Sequence, residues 1–139
     1  MSDSHSRLVG VRVLLVDDDA DTRYVTRRAL QSEGATVTEA ESARDALQLL
    51  QQERPDVLVS DLSMPGEDGY WLIRKVRSSA SDKIKRLPAV ALTAYASEED
   101  RDRAIATGYD EHLTKPIEPA LFATVLARLT NLHEGDRVR

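Results

Sequence analysis

Short strand-like runs, most of them apolar, alternate with helix-forming segments along nearly the whole chain. Predicted strands lie at residues 11–16, 35–40, 57–61, 89–93 and 111–114. Between them are segments whose apolar residues recur at helical spacing, as in residues 43–50. Such alternation is typical of a parallel sheet with helices on both faces. We therefore predict an α/β fold with five strand–helix units.

Local signals set the ends of the predicted helices. Gly34 follows the first helix, Ser42 is a suitable N-cap for the second, and Pro55 ends that second helix. Helices are predicted at 20–33, from 43 to the residue before Pro55, and at 69–77, 97–107 and 119–131. The polar and basic stretch 78–87 is predicted to be a loop.

Polar side chains stand at the ends of the predicted strands. Five strand–helix units fit the flavodoxin-like doubly wound (βα)5 fold, whose parallel five-stranded sheet has the order 2-1-3-4-5. In that order the first strand, ending at Asp17 and Asp18, lies beside the third strand, ending at Asp61. Thr93 ends the fourth strand and Lys115 follows the fifth. All of these side chains therefore meet at the carboxyl edge of the sheet.

The residue types at this edge suit phosphoryl chemistry. Three crowded carboxylates repel one another and need a cation or a proton. Oxygen ligands without His or Cys favour a hard ion such as Mg²⁺. A lysine and a hydroxyl beside a metal-bound carboxylate are typical of a phosphoryl site, where a carboxylate can itself be the nucleophile. Asp61, on the central strand, is the predicted nucleophile.

Composition limits the class of protein. The 139 residues include no cysteine, which excludes a disulfide scaffold and thiolate metal sites. The net charge of −5 argues against a generic nucleic-acid surface, and no apolar stretch is long enough for a membrane span. We expect a cytoplasmic protein with a flexible N-terminal arm (1–10), one domain (11–131) and a C-terminal tail (132–139).

The chain resembles the response-regulator receiver domains of two-component signalling. The resemblance extends from about residue 11 to residue 131. It rests on the acidic pair Asp17-Asp18, on Asp61 in DLSMPGEDG, on Thr93-Ala94 and on Lys115-Pro116. Each motif is weak alone, but together and in this order they are specific.

The resemblance implies a role for each acidic residue. Asp61 would accept a phosphoryl group from a histidine kinase or a histidine phosphotransfer protein. Asp18 and Asp61 would bind Mg²⁺ directly with the backbone carbonyl of Ser63, and Asp17 would act through a metal-bound water; Mn²⁺ could substitute for Mg²⁺. Ser63 and Tyr95 would flank the site and tune the lifetime of the phosphoryl group.

The resemblance also implies a switch. Lys115, in a peptide bond to Pro116 that is usually cis in the family, would pair with the phosphoryl group, and Thr93 followed by Ala94 would close on it. The change would be read from a surface made by the fourth helix, fifth strand and fifth helix, roughly residues 97–129. His112 departs from the pattern, because the family usually has an aromatic residue there; a solvated histidine is the simpler interpretation, and a pH-sensitive switch is the alternative.

Two other functions are alternatives to a switch that is not an enzyme. Haloacid-dehalogenase-like phosphohydrolases need a second acid two residues after the nucleophile, where this chain has Ser63. A pseudo-receiver would be favoured by loss of Asp61 or Lys115, and both are present. The resemblance does not decide between a stand-alone receiver and part of a hybrid histidine kinase. The downstream protein partner and a homodimer stay open, and neither nucleic acid nor membrane is expected as a partner.

Overall fold

The computed structural model describes residues 7–94 and 97–138, without the side chains of 132–138, and its centre is a five-stranded parallel sheet. The strands are β1 (Arg12–Val16), β2 (Thr36–Ala40), β3 (Val57–Asp61), β4 (Ala89–Thr93) and β5 (Glu111–Thr114). Their order is β2-β1-β3-β4-β5, and all four pairings are parallel. The predicted fold class and strand order are confirmed.

Helices connect the strands and cover both faces of the sheet. They are α1 (Ala20–Ser32), α2 (Ala43–Glu53), α3 (Gly69–Arg77), α4 (Asp82–Lys85), α5 (Glu98–Thr107) and α6 (Pro119–Val138). Side-chain caps begin several of them: Ser42 accepts a hydrogen bond from the Asp45 amide, and Asp68 accepts one from the Trp71 amide. These caps satisfy amide groups that a helix leaves without a partner in its first turn.

The apolar core has two parts, one on each face of the sheet. One part packs α2, α3 and α5 against the sheet around Leu14, Leu58 and Ile73. The other packs α6 against it around Leu15 and Phe122. Every residue of β3 and β4 is buried, as expected for central strands covered on both faces. Asp61 is therefore attached to the most enclosed part of the sheet.

One helix was not predicted, and the last helix is longer than predicted. The stretch 78–87, predicted to be a loop, contains α4, which Ser81 caps by accepting a hydrogen bond from the amide of Ile84. The last helix, predicted to end at Asn131, continues to Val138 through most of the predicted tail. No proline interrupts residues 132–138, and the single Gly135 weakens a helix without ending it.

The N-terminal segment also differs from its predicted state. Residues 1–6 of the predicted arm lie outside the described residues, but residues 7–10 form a turn held against the domain. Leu8 is fully buried in the core around Phe122, and its amide donates to the Glu33 carbonyl at 2.8 Å. The Arg7 guanidinium donates to the Thr124 hydroxyl at 2.9 Å. Burial of Leu8 in the core thus anchors residues 7–10, which were predicted to belong to a flexible arm.

Candidate functional site

Three carboxylates lie together at the carboxyl edge of β1 and β3. The sheet register pairs Val16 with Ser60, so the next residues, Asp17 and Asp61, come side by side. Asp17, Asp18 and Asp61 each offer an oxygen, and these oxygens lie within 4.8 Å of one another. Asp17 and Asp61 are buried, whereas Asp18 is exposed. The predicted acidic cluster is therefore present, with one member facing solvent.

Lys115 supplies a positive charge to the two buried carboxylates. Its Nζ lies 3.1 Å from an oxygen of Asp17 and 3.2 Å from an oxygen of Asp61. The Lys115 amide donates to the Thr93 carbonyl at 2.7 Å, which places the lysine directly after the β4–β5 pairing. The peptide bond between Lys115 and Pro116 is cis. Thr93 is buried at the end of β4, and Ala94 after it is exposed.

The charges of the cluster do not balance. Burial raises the pKa of Asp61; the Lys115 ammonium opposes that change, and the Asp17 carboxylate adds to it. Burial alone would lower the pKa of Lys115, but Asp61 and Asp17 outweigh it, so the lysine pKa is raised. One ammonium thus faces two buried carboxylates, with Asp18 beside them. The cluster has an excess of negative charge that a divalent cation would neutralise.

Main-chain amides orient the carboxylates. Asp17 accepts a hydrogen bond from the Asp19 amide at 2.9 Å, and Asp61 accepts one from the Ser63 amide at 3.3 Å. Asp19 in turn caps α1 by accepting a hydrogen bond from the Thr22 amide. The turn after each strand therefore holds the carboxylate that ends or follows it, while Ser63 itself is exposed.

A cleft opens beside the site on the side of α5. Its volume is about 550 Å³, and its lining includes Ser63, Thr93 and Arg103. The Arg103 guanidinium lies over the ring of Tyr70, 3.9 Å from its centroid. The end of β4 and the loop after β3 are thus accessible from outside, which the chemistry of group transfer requires.

His112 lies half-buried on β5, and its Nε2 is enclosed without a hydrogen-bond partner among the described residues. Burial lowers the pKa of His112; Asp100 acts against this change and Arg101 adds to it. The expectation of a solvated histidine does not hold for Nε2, because this atom is enclosed. Burial without a partner favours the neutral ring. Tyr95, predicted to flank the site, lies outside the described residues.

Comparison with known proteins identifies the family of this chain. The family model described as "Response regulator receiver domain" matches residues 13–127. The chain belongs to the receiver domain family. It is thus a receiver domain of the kind found in two-component systems, a family of signalling switches whose members typically bind Mg²⁺ at an acidic pocket.

Several relatives resemble this receiver domain closely. An uncharacterised 14.6 kDa protein of Leptolyngbya boryana is 51% identical over 112 residues, which are 81% of this chain and 84% of that protein. The sensor histidine kinase CheAY of Helicobacter pylori is 35% identical over 127 residues, 90% of this chain. This receiver domain spans only 15% of the length of that kinase.

Solved structures agree with the sheet topology of the receiver domain. The receiver domain of the sensor histidine kinase PA1611 of Pseudomonas aeruginosa has a TM-score of 0.78 and 30% identity, covering 87% of this chain and 98% of that one. That structure contains a magnesium ion coordinated in its active-site cleft.

Among the residues described for this receiver domain, no helix is long and apolar enough to cross a membrane.

One residue at the site was missed by the sequence reasoning. Arg23 on α1 donates to the main-chain carbonyl of Asp17 at 2.6 Å and pairs with Glu39 on β2. The only available signal was an arginine on the first helix beyond the acidic pair, and the contact depends on a side chain that crosses to the neighbouring strand. The receiver domain therefore has a cation on each side of Asp17, with Lys115 as the other.

Proposed function

We propose that this receiver domain is a phosphoryl-accepting switch in which Asp61 is the acceptor. The observation that carries the proposal is the contact of one ammonium, Lys115, with two buried carboxylates beside the exposed Asp18. A buried cluster with excess negative charge and one lysine has the groups that a Mg²⁺-dependent phosphoryl transfer needs.

Asp61 is the best nucleophile of the three carboxylates. It ends the central strand β3, and the Ser63 amide and Lys115 fix its orientation. An oxygen of Asp61 would attack the phosphorus of a phosphohistidine on a kinase or phosphotransfer protein. A P–O bond forms as the P–N bond breaks, and the leaving imidazole takes a proton from solvent.

The acidic cluster fits a hard divalent ion. Asp18, Asp61 and the Ser63 main-chain carbonyl would hold Mg²⁺ directly, and Asp17 would act through a water bound to it. Mn²⁺ could substitute because it accepts the same oxygen ligands. When bound, the ion supplies positive charge that offsets the charge on the phosphoryl oxygens and on the carboxylates.

The remaining site residues would transmit phosphorylation of Asp61 to the surface of the domain. Lys115 would pair with an oxygen of the phosphoryl group on Asp61, because its Nζ lies 3.2 Å from an oxygen of the Asp61 carboxylate. The Thr93 hydroxyl and the exposed Ala94 would close on the group from the end of β4. His112 lies on β5, next to that strand. The movement would therefore reach the surface formed by α5, β5 and α6, which is the predicted surface at roughly residues 97–129.

The partners we propose follow from this surface and from the family. A histidine kinase or histidine phosphotransfer protein would supply the phosphoryl group in the cytoplasm. A downstream protein would bind the surface formed by α5, β5 and α6, and the same surface could pair two copies of the chain. Neither nucleic acid nor membrane enters the proposal, and the protein acts as a switch instead of as an enzyme with released products.

The test is the intact mass of the protein after incubation with acetyl phosphate and Mg²⁺. We expect one phosphoryl group to be added to the parent protein and none to Asp61→Asn or to the parent without Mg²⁺. Asp21→Asn is the matched control, because Asp21 is an exposed acid in the first turn of α1. A parent that gains no phosphoryl group from acetyl phosphate or a histidine kinase, and binds no Mg²⁺, would favour a pseudo-receiver instead.

A further inference from the structure

The Arg23 guanidinium joins residues 17–19 between β1 and α1, here called the acidic loop, to the edge strand β2. Its Nη1 donates to the main-chain carbonyl of Asp17 at 2.6 Å, and its Nε lies 3.0 Å from Glu39. The side chain is only 15% exposed. The planar guanidinium can make both contacts at once because its donors point in different fixed directions.

Asp17 is consequently restrained at both ends of its main chain. Its amide donates to the Ala40 carbonyl of β2 at 3.1 Å, and its carbonyl accepts from Arg23. Its carboxylate accepts from the Asp19 amide at 2.9 Å and from Lys115 at 3.1 Å. The start of the acidic loop is thus fixed before any cation is bound.

The hydrogen bonds that hold Asp17 act against repulsion between the three carboxylates. The carboxylates of Asp17, Asp18 and Asp61 lie close enough to share an ion, and without that ion they repel one another. Asp18 is exposed and could move into solvent if the loop that carries it were free. A loop held in place avoids the free energy of ordering it when the ion binds.

We infer that Arg23 is a positioning residue for the metal: it holds the acidic loop in the geometry that binds Mg²⁺, and Glu39 holds Arg23. This inference rests on the proposed function. It assigns Arg23 no contact with the ion or the phosphoryl group. Its effect is on the affinity for the ion and not on the transfer step.

Arg27 provides a matched control on the same helix. It lies one turn beyond Arg23, and its Nε is 3.0 Å from the other oxygen of Glu39. The contacts described for Arg27 do not include Asp17. Both residues thus bind one carboxylate, and only Arg23 connects that carboxylate to the acidic loop.

The experiment compares Mg²⁺ binding by Arg23→Met and Arg27→Met, measured by calorimetry without a phosphoryl donor. We expect Arg23→Met to bind Mg²⁺ about fivefold or more weakly, since it loses a charged hydrogen bond to the loop. Arg27→Met should bind within about twofold of the parent. Arg23→Lys, which keeps the charge but not the two-sided contact, should lie between them.

A second measurement separates positioning from general damage. Phosphorylation by acetyl phosphate is followed while the Mg²⁺ concentration is varied. For Arg23→Met the half-saturating Mg²⁺ concentration should rise by the same factor as the dissociation constant, while the rate at saturation stays within about twofold of the parent. If Arg23→Met does not fold, the same comparison is made between Arg23→Lys and Arg27→Lys.

Each outcome decides the inference. Unchanged Mg²⁺ affinity in the Arg23 variants, or an equal loss in the Arg27 variants, overturns it. A parent that binds Mg²⁺ but takes up no phosphoryl group counts against the proposed function and leaves the Arg23 comparison intact. A parent that binds no Mg²⁺ overturns both.

Discussion

Gly69, the first residue of α3, packs directly against the main chain of Asp61. A Cβ atom on Gly69 would lie 2.5 Å from the Asp61 carbonyl oxygen and 2.8 Å from Leu62 Cα. The Gly69 amide donates to the Leu62 carbonyl at 3.2 Å, and its carbonyl accepts from the Tyr109 hydroxyl at 2.7 Å. The start of α3 and the end of β3 are thus in contact through main-chain atoms, so an added Cβ at Gly69 would force one of these segments to shift.

Gly69→Ala should therefore disturb both folding and the acceptor. We expect a loss of about 1–3 kcal/mol in the free energy of unfolding, as for overpacked core positions. Phosphorylation should slow because the end of β3 that carries Asp61 must shift. Denaturant unfolding and phosphorylation rates measure the two effects.

Gly66→Ala is the control for that substitution. Gly66 has a φ of +73° and nothing within 4 Å of an added Cβ, so an alanine there brings backbone strain but no collision. It should lower stability yet keep the phosphorylation rate within about twofold of the parent. Parent-like stability and rate in Gly69→Ala would contradict the packing argument.

Asp61→Asn should stabilise the protein at neutral pH when Mg²⁺ is absent. Burial raises the pKa of Asp61, so the folded state binds this proton more tightly than the unfolded state does. The free energy of unfolding therefore falls as pH rises through the window above the ordinary value of 3.8, and the ionised carboxylate is unfavourable at neutral pH. Lys115 keeps its contact with Asp17 in the variant.

The expected gain for Asp61→Asn is about 1 kcal/mol, similar in size to a typical point substitution but opposite in sign. Thermal unfolding with and without Mg²⁺ measures it. Added Mg²⁺ should stabilise the parent more than the variant, because Asp61 is a proposed ligand of the ion and only the folded state assembles the site. A variant that is less stable than the parent without Mg²⁺ would show that the Lys115 contact outweighs the burial of the charge.

His112→Phe should reduce the dependence of stability on pH in mildly acidic solution. The pKa of His112 is lowered by burial, so the unfolded chain binds the proton more tightly. The free energy of unfolding therefore rises with pH through the window below the ordinary value of 6.5 and is at its full value above it. Phenylalanine does not titrate and fills the same half-buried position.

The measurement for His112 is the midpoint of thermal unfolding on both sides of about pH 6.5. We expect the parent to lose more stability on acidification than His112→Phe does. Asp100 and Arg101 stay in both proteins, and so do His5 and His133, so their contributions cancel in the comparison. Equal losses in the two proteins would show that His112 titrates alike folded and unfolded.

Leu8→Ala should destabilise the domain although residue 8 was expected in a loose arm. Leu8 is fully buried in the core around Phe122, so removal of its side chain leaves a cavity. We expect a loss of about 2–4 kcal/mol in denaturant unfolding. Val9→Ala is the control, because Val9 is 67% exposed and should cost much less. A loss below about 0.5 kcal/mol for Leu8→Ala would mean that the segment is detached in solution.

The sequence predicted the parts of the fold that depend on period and on chain order. Three apolar runs, an alternating segment at 35–40 and a brief segment at 111–114 predicted the strands, and the parallel arrangement then brought Asp17, Asp61 and Lys115 to one edge. Leu8 was not predictable in this way, because one leucine in a polar segment has no period and its core position exists only after folding. Arg23 was missed for a related reason: its contact with Glu39 depends on the β1–β2 pairing and on side-chain reach.

The central position of β3 divides the carboxyl edge of the sheet into two sides. On one side, Asp17 and Asp18 follow β1, and Arg23 on α1 connects Asp17 to Glu39 of β2. On the other, β4 and β5 carry the hydroxyl of Thr93, His112 and the lysine that follows. Asp61 lies between the two sides, so in the proposed switch the Mg²⁺ site and the surface that a partner recognises would lie on opposite sides of β3. In that switch, a protein bound to α5, β5 and α6 would sense phosphorylation of Asp61 without covering the proposed Mg²⁺ site.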